Sequence, residues 1–364
     1  MVRITASLIV RDEEARLGAC LTHLTGIVDE IVVVDTGSCD RSPEIALAHG
    51  ARLYLEPWQN DFSQARNTAL AYSTGDWILY IDADERVVAN EALHPVLANP
   101  AVVAARVRFR ASPRLTPYPE YRLFRNRADI RFRGCIHETI LPDIQTIVAC
   151  GGGSIIDAPL AIDHYGYEGN LQLKHKRNIS LLRQAVEDNP KRIYLWHALG
   201  ECELGLGNVQ AAERAWRLGL ACVRQTAPRP GDALIYADLF DLHFADLGLV
   251  LPDIEALREE AVGRHPDDPL ILWWTARQLT ATGRFAEARK ALTQLLSYSP
   301  EGPSPAELGY DKRLFNEFTW GLMGVCWLCE GEPRYALDWL SRAHAANPEN
   351  PEIRLKRALA EAQL

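Results

Sequence analysis

Trp77-Ile78-Leu79-Tyr80-Ile81-Asp82-Ala83-Asp84-Glu85 decides the reading of the first half of the chain. Its continuous apolar run predicts a strand buried on both faces, as in a parallel sheet, rather than an alternating, half-solvated one. The run ends abruptly in carboxylates. In extended backbone Asp82 and Asp84 project to the same side, and desolvating them unpaired would cost kilocalories. A divalent cation shared with a substrate diphosphate removes that cost, and magnesium or manganese suits oxygen ligands. The same D-x-D pattern also reads as a solvated acidic turn.

Outward from this stretch, Ile4-Thr5-Ala6-Ser7-Leu8-Ile9-Val10 and Ile31-Val32-Val33-Val34 are further buried-strand runs. Helical patterns occupy 12–25, 41–49 and 61–73, the last with Asn60 or Asp61 as its N-cap. Strand–helix alternation predicts an open α/β sheet whose ligand sites lie at the carboxyl ends of its strands. Polar residues stand at those ends: Arg11-Asp12-Glu13-Glu14 after the first run and Asp35-Thr36-Gly37-Ser38-Cys39-Asp40 after the second. Arg66 lies in the helix that precedes the third. From 102 to 165 the pattern changes to short strand-like pieces broken by Pro113, Pro117, Pro119 and Gly134.

The chain has 364 residues, enough for two domains at ~150 residues each. With 48% hydrophobic and 24% charged residues, it falls outside the disordered and fibrous classes. No run of ~18 apolar residues occurs, and no secretory signal is read at the N-terminus; a cytoplasmic location is expected. The net charge of -9 disfavours nucleic acid and anionic membrane as partners. Eight scattered cysteines suit a reducing compartment, and Cys326-x-x-Cys329, on a helical stretch, reads as packing rather than metal or redox chemistry. Residues 101–135 run against the acidic balance, with nine arginines opposed by Glu120 and Asp129 alone. Arg106, Arg108 and Arg110 share one face of a strand, by default a solvated one. The functional alternative sets Arg122, Arg125 or Arg133 against an anion, since guanidinium offers paired donors to phosphate oxygens.

After Gly166 the strand signal stops and amphipathic helical periodicity takes over. Trp196, Leu199, Gly200, Gly207, Ala212, Trp216 and Gly219 recur in phase as Leu272, Thr275, Ala276, Gly283, Ala288, Leu292 and Leu295. They recur again as Trp320, Met323, Gly324, Gly331, Ala336, Leu340 and Ala343, after an insertion that Glu301-Gly302-Pro303-Ser304-Pro305 begins. Small residues at 200, 276 and 324 let two helices approach closely, and the glycines at 207, 283 and 331 fall at the turn between them. The pattern resembles the tetratricopeptide repeat, with three clear units, a degenerate one near 234–266 and a leading half-unit at 170–190. Stacked units of this kind bury a shared core. The division is therefore expected at 1–167 and 168–364.

Taken together, residues 4–85 resemble the family 2 glycosyltransferases of the GT-A fold. Arg122-Leu123-Phe124-Arg125, Gly134-Cys135-Ile136-His137-Glu138, Asp163-His164-Tyr165-Gly166-Tyr167 and Lys174-His175-Lys176-Arg177-Asn178 extend the resemblance. It is to the bacterial group with C-terminal tetratricopeptide repeats, which includes peptide S-glycosyltransferases and lipopolysaccharide-core glucosyltransferases. The resemblance implies a Rossmann-like GT-A domain followed by an all-α solenoid, and inverting, metal-dependent transfer from a UDP-sugar. Asp35 would contact uridine, flanked by Val10 and Arg11, and Arg66 would approach the nucleotide or diphosphate. Asp82 would meet the ribose or the metal's water shell, and Asp84 would bind Mn2+ or Mg2+ directly. His164 is a candidate imidazole ligand, set against a core or loop histidine. Glu138 is the first choice as the base that takes the acceptor's proton and His137 the second; the alternative is that both merely pin a loop. Arg125 is a candidate for the donor's anionic end.

A GT-A domain of ~165 residues is short, so the repeats are expected either to complete the acceptor site or to serve dimerisation. Their concave surfaces suit an extended peptide, which favours a peptide or protein acceptor over a glycan or lipopolysaccharide. A tetratricopeptide scaffold with a vestigial GT-A domain is the reading of another class; the survival of Asp35, Asp82 and Asp84 argues against it. A nucleotidyltransferase would carry a glycine- and lysine-rich phosphate loop near the first strand, where this chain has no lysine.

Overall fold

The computed structural model describes residues 2–90, 93–166, 171–245, 247, 249–302 and 308–364. Tyr167, the expected boundary at 167/168 and Pro303-Ser304-Pro305 lie outside them. The chain separates into two compact units, Met1–Pro113 with Pro117–Asn189, and Arg114–Thr116 with Pro190–Leu364.

The first unit runs β1 (Ile4–Val10), α1 (Leu17–Leu24), β2 (Glu30–Asp35), α2 (Ser42–Ala48), β3 (Arg52–Leu55), α3 (Phe62–Tyr72) and β4 (Trp77–Tyr80). It continues as β5 (Glu85–Asn90), α4 (Leu93–Leu97), β6 (Val102–Arg110), β7 (Tyr118–Arg125), α5 (Leu141–Ala149), β8 (Ser154–His164) and α6 (Leu171–Asp188). One open eight-stranded sheet has the order β3-β2-β1-β4-β7-β6-β8-β5. β3, β2, β1 and β4 run parallel, and β7 joins β4 antiparallel. The apolar runs that define β1, β2 and β4 are buried on both faces: Leu8 and Leu79 on one side and Val34 and Ile78 on the other have no exposed surface. All the carboxyl ends of this parallel half face one edge, which is where the site forms.

Local departures from the sequence reading have physical causes. The helix expected over 12–25 starts only at Leu17, because Asp12 adopts a left-handed backbone (φ 56). The side chain of Asp12 accepts the Cys39 N–H (2.7 Å) and that of Glu14 the Arg41 N–H (3.2 Å), tying the loop after β1 to the loop after β2. Asp61, not Asn60, caps α3, accepting the Gln64 N–H at 3.0 Å. Region 102–165 forms long strands rather than short pieces. β8 pairs with β5 on one side and β6 on the other, and this two-sided pairing outweighs the breaker at Pro159, where the β6–β8 register shifts. Of the arginines on β6, Arg106 pairs with Asp157 and Arg110 with Asp163 on β8, the outcome expected of a solvated, ion-paired face.

The second unit is helical: α7 (Ile193–Gly205), α8 (Val209–Val223), α9 (Ala233–Phe244), α10 (Ile254–Arg264), α11 (Pro269–Ala281), α12 (Phe285–Leu295), α13 (Glu317–Cys329), α14 (Pro333–Ala346) and α15 (Pro351–Ala362). α7–α8, α11–α12 and α13–α14 are the three clear repeats, and α9–α10 is the degenerate one. Gly207, Gly283 and Gly331 all sit at φ between +75° and +84° in the turns between paired helices, a conformation that disfavours any side chain. At Gly200 a Cβ would stand 2.1 Å from Trp216 Nε1, and at Gly324 2.6 Å from Leu340 Cγ. The absent side chains are therefore what lets each helix pair close. None of the eight cysteines is in a disulfide; Cys326 is buried in packing and Cys329 is exposed. Among the described residues no helix is long and apolar enough to cross a membrane.

Candidate active site

The ends of β1, β2 and β4, the 134–140 loop and α6 surround an open cleft of about 430 Å³. Its acidic floor comes from the turn after β4. The Glu85 N–H donates to the Asp82 carbonyl at 3.0 Å, and the Asp82 N–H donates to Glu85 Oε2 at 2.9 Å. Residues 82–85 are thus a closed turn rather than the extended backbone expected, and the two aspartates diverge. Asp82 goes to Arg66, whose Nη2 donates to Oδ1 at 2.5 Å. Asp84 goes to His164, with Oδ2 3.2 Å from Nε2.

The β5–β8 register, which sets Glu85 opposite His164, brings the second pair together. His164 Nδ1 lies 3.2 Å from the Ala111 carbonyl, an acceptor only, so Nδ1 carries a proton and Nε2 has the lone pair when the ring is neutral. Burial works against the imidazolium, but the hydrogen bond and charge of Asp84 prevail and raise the His164 pKa above its ordinary value. A Cβ on Gly166 would lie 1.9 Å from Asp84 Oδ2 and 2.9 Å from His164 Nε2. The glycine therefore lets the Asp84 carboxylate pack against the backbone beside His164. A carboxylate oxygen and an imidazole nitrogen 3.2 Å apart fit adjacent ligands of a divalent ion that tolerates nitrogen, manganese better than magnesium. Among the described residues no third His, Cys, Asp or Glu completes a protein cage, so further ligands would come from a diphosphate and water.

Arg66 and Glu138 form the opposite wall. Arg66 is 4% exposed; its Nε donates to Glu138 Oε1 at 3.0 Å, and its guanidinium lies over the rings of Tyr80 (5.2 Å) and Phe132 (5.9 Å). Burial opposes its charge, and the carboxylates of Asp82 and Glu138 restore it. Glu138 Oε2 has no partner among the described residues. The loop that carries Glu138 closes on itself through an Arg133–Thr139 bridge and accepts the Phe62 N–H at the Cys135 carbonyl (2.9 Å). His137 within it has φ 51, an uncommon conformation for a residue with a side chain.

Val10, Arg11, Arg66, Asp82, Asp84, His137, Glu138 and His164, all singled out in the sequence, line this one cleft. Asp35 lies at the end of β2 beside Val10, 2% exposed. Its Oδ1 accepts the Gly37 and Ser38 N–H groups at 2.9 and 2.8 Å, while Oδ2 is buried without a partner. Arg125 is not brought to the cleft. It sits opposite Trp77 at the start of β4, stacks on that indole (4.7 Å) and donates to the carbonyls of Val102 and Asn99. Its neighbour in the motif, Arg122, does reach the cleft wall but is held by Glu85 at 2.8 Å. Arg133 pairs instead with Asp143.

Other lining residues had no role in the sequence reading. Glu13, between Asp12 and Glu14, is the acidic residue of that trio that faces the cleft, and burial together with nearby Asp84 raises its pKa. Trp58 and Phe62 add an aromatic edge. Lys174 and Arg177 on α6 add positive charge; Arg177 lies over the Phe62 ring (5.6 Å), and burial and the like charge of Arg11 lower its pKa. The tract Lys174-His175-Lys176-Arg177-Asn178 was the available signal, but helical spacing alone does not say which face meets a cleft.

Residues 7–157 match the family described as Glycosyl transferase family 2. A TPR repeat-containing protein of Synechococcus elongatus is 36% identical over 275 residues, 72% of this chain and 67% of that one. The SPbeta prophage-derived glycosyltransferase SunS of Bacillus subtilis is 29% identical over 212 residues, 53% of this chain and 48% of that one; the chain thus spans about half of that relative. Glucosyl-3-phosphoglycerate synthase of Mycobacterium tuberculosis, solved with Mn2+ and UDP-glucose, is 19% identical with a TM-score of 0.39, covering 50% of this chain and 78% of that one.

Proposed function

We propose, for a chain that belongs to the family 2 glycosyltransferases with C-terminal tetratricopeptide repeats, inverting and metal-dependent transfer of a sugar from a UDP-sugar to a peptide or protein side chain. The observation that carries this reading is the side-by-side placement of Asp84 Oδ2 and His164 Nε2, 3.2 Å apart, in the lining of the cleft. Asp84 and His164 would hold manganese there, and the bound ion would offset the charge of the departing diphosphate. Asp82 stands beside this site on Arg66. Arg177, whose positive charge Arg11 repels, would take the remaining diphosphate charge together with Arg11 and Lys174, which line the same cleft. Asp35 Oδ2, buried and unpartnered, is an acceptor for an imide N–H of uracil, with Val10 beside it.

On the acceptor side, a heteroatom attacks the anomeric carbon on the face away from the diphosphate. The bond from that carbon to the phosphate oxygen breaks and its electron pair leaves with UDP. Glu138 takes the acceptor's proton on the oxygen that Arg66 leaves unbonded, and His137 flanks it. The stacked repeats, which suit extended chains, favour a peptide or protein acceptor.

A thermal-shift panel of UDP, GDP, CDP and dTDP, each with manganese or with EDTA, tests the donor. A ligand at ~100 times its Kd adds ~2.7 kcal/mol to the bound state, a shift of several degrees. The expected result is a manganese-dependent response to UDP; no response to any nucleotide would leave a scaffold with a vestigial domain. UDP release from UDP-sugars with peptide and with glycan acceptors then tests the acceptor class.

A further inference from the structure

We propose that Arg66 is a positioning residue, which holds the acceptor-side carboxylate Glu138 at a set distance from the donor-side carboxylate Asp82. The inference rests on the functional reading above and adds a residue that acts through another. By sequence Arg66 belongs with the nucleotide or diphosphate. In the structure its donors are spent elsewhere: Nε on Glu138 Oε1 at 3.0 Å and Nη2 on Asp82 Oδ1 at 2.5 Å. The remaining nitrogen, Nη1, is buried without a hydrogen-bond partner, and the guanidinium is pressed against Tyr80 and Phe132.

The three residues come from three separate elements, α3, the turn after β4 and the 134–140 loop; α3 and the loop also meet at the Phe62 N–H and the Cys135 carbonyl, whereas the Arg66 guanidinium bridges the loop's carboxylate to that of the turn. A guanidinium carries its donors in a rigid planar fork, so carboxylates bonded to two of its nitrogens keep a fixed separation. Its burial against the two rings restricts the swing of the fork. Glu138 itself lies outside any helix or strand, and its carboxylate takes its place from Arg66. Displacing a catalytic group by about 1 Å costs on the order of 100-fold in rate, so a group that fixes that placement is visible in turnover even though it never touches substrate.

The experiment uses the full chain with manganese, UDP and the UDP-sugar that the wild type turns over. Arg66→Lys keeps a cation but loses the fork. UDP affinity is expected to stay within about threefold of wild type and donor KM likewise, while kcat falls about 100-fold. Adding Glu138→Gln to Arg66→Lys is expected to slow transfer little beyond Glu138→Gln alone, because both changes remove the same placement. A tenfold or greater loss of UDP affinity in Arg66→Lys, or losses that multiply in the double variant, would overturn the proposal. Should Arg66→Lys fail to fold, Glu138→Asp retracts the carboxylate by one methylene with its charge kept: reduced kcat with intact UDP binding is expected, and wild-type turnover would overturn the positioning role. A wild-type chain that neither binds UDP with manganese nor releases UDP from any UDP-sugar would instead sink the functional reading itself.

Discussion

Asp84 and His164 meet at 3.2 Å because β5 and β8 pair antiparallel with Glu85 opposite His164. Asp84 sits in the turn from β4 into β5, and His164 ends β8. The geometry of this pair is set by the edge of the sheet, so on the functional reading proposed above changes at that edge would reach the metal without touching β1 and β2.

Alanine at Gly166 is the sharpest test of that geometry, since its Cβ would fall 1.9 Å from Asp84 Oδ2. Gly166→Ala should weaken manganese-dependent UDP binding at least tenfold, and Asp84→Ala should abolish it, with near-wild-type unfolding temperatures for both. Calorimetric titration of UDP with manganese and with EDTA reads the difference.

Glu138→Gln keeps a hydrogen-bond acceptor for Arg66 and removes the proton acceptor. UDP binding should be retained and transfer should fall by about 100-fold or more, within the usual range for a general base. Unaffected rates in a single-turnover UDP-release assay would pass the role to His137 or elsewhere.

Close helix contact in the repeats predicts an asymmetric tolerance at Gly200. Alanine there drives its Cβ to 2.1 Å from Trp216 Nε1, a rigid indole whose N–H donates to the His197 carbonyl at 3.2 Å. Overpacking of this kind costs about 1–3 kcal/mol. Gly207→Ala, in the turn, meets no neighbouring atom within 4 Å and pays only for its left-handed backbone. Thermal unfolding of the two variants should place Gly200→Ala lower.

The repeats also carry a pH response. His197 Nδ1 donates to Asp238 Oδ2 at 2.8 Å; burial opposes the imidazolium, yet the charge and hydrogen bond of Asp238 raise it to about 9. The folded value exceeds the unfolded one of about 6.5. The stabilisation is therefore complete below about pH 6.5 and is lost as pH rises toward about 9. Burial also raises Asp238 to about 6, below that window. Between about pH 7 and 9.5 unfolding free energy should fall by about 1–3 kcal/mol, and His197→Gln should flatten the slope. A pH-independent wild-type unfolding temperature over that range would refute the pair's contribution.

Periodicity made the buried strands legible, and the in-phase residues of the repeats made the helix pairs legible, because both patterns follow from which side of a regular backbone meets the core. The edge strands β3 and β5 went unread: they are short or only half covered, so their composition carries a weak signal. Arg122 and Arg125 show the same limit within one motif. Both occupy β7, yet one is held at the cleft by Glu85 and the other by backbone carbonyls at the far end of Trp77.

By itself the sequence determined the parallel strands, the carboxylates at the end of β4 and the repeat units, since each is written in residue types a few positions apart. Only the tertiary structure decided that Asp82 turns to Arg66 and Asp84 to His164, and that Glu13 rather than Asp12 or Glu14 faces the cleft. These outcomes depend on strand register, a closed turn and a left-handed residue at 12. Each is a balance of long-range hydrogen bonds and burial that no local pattern records.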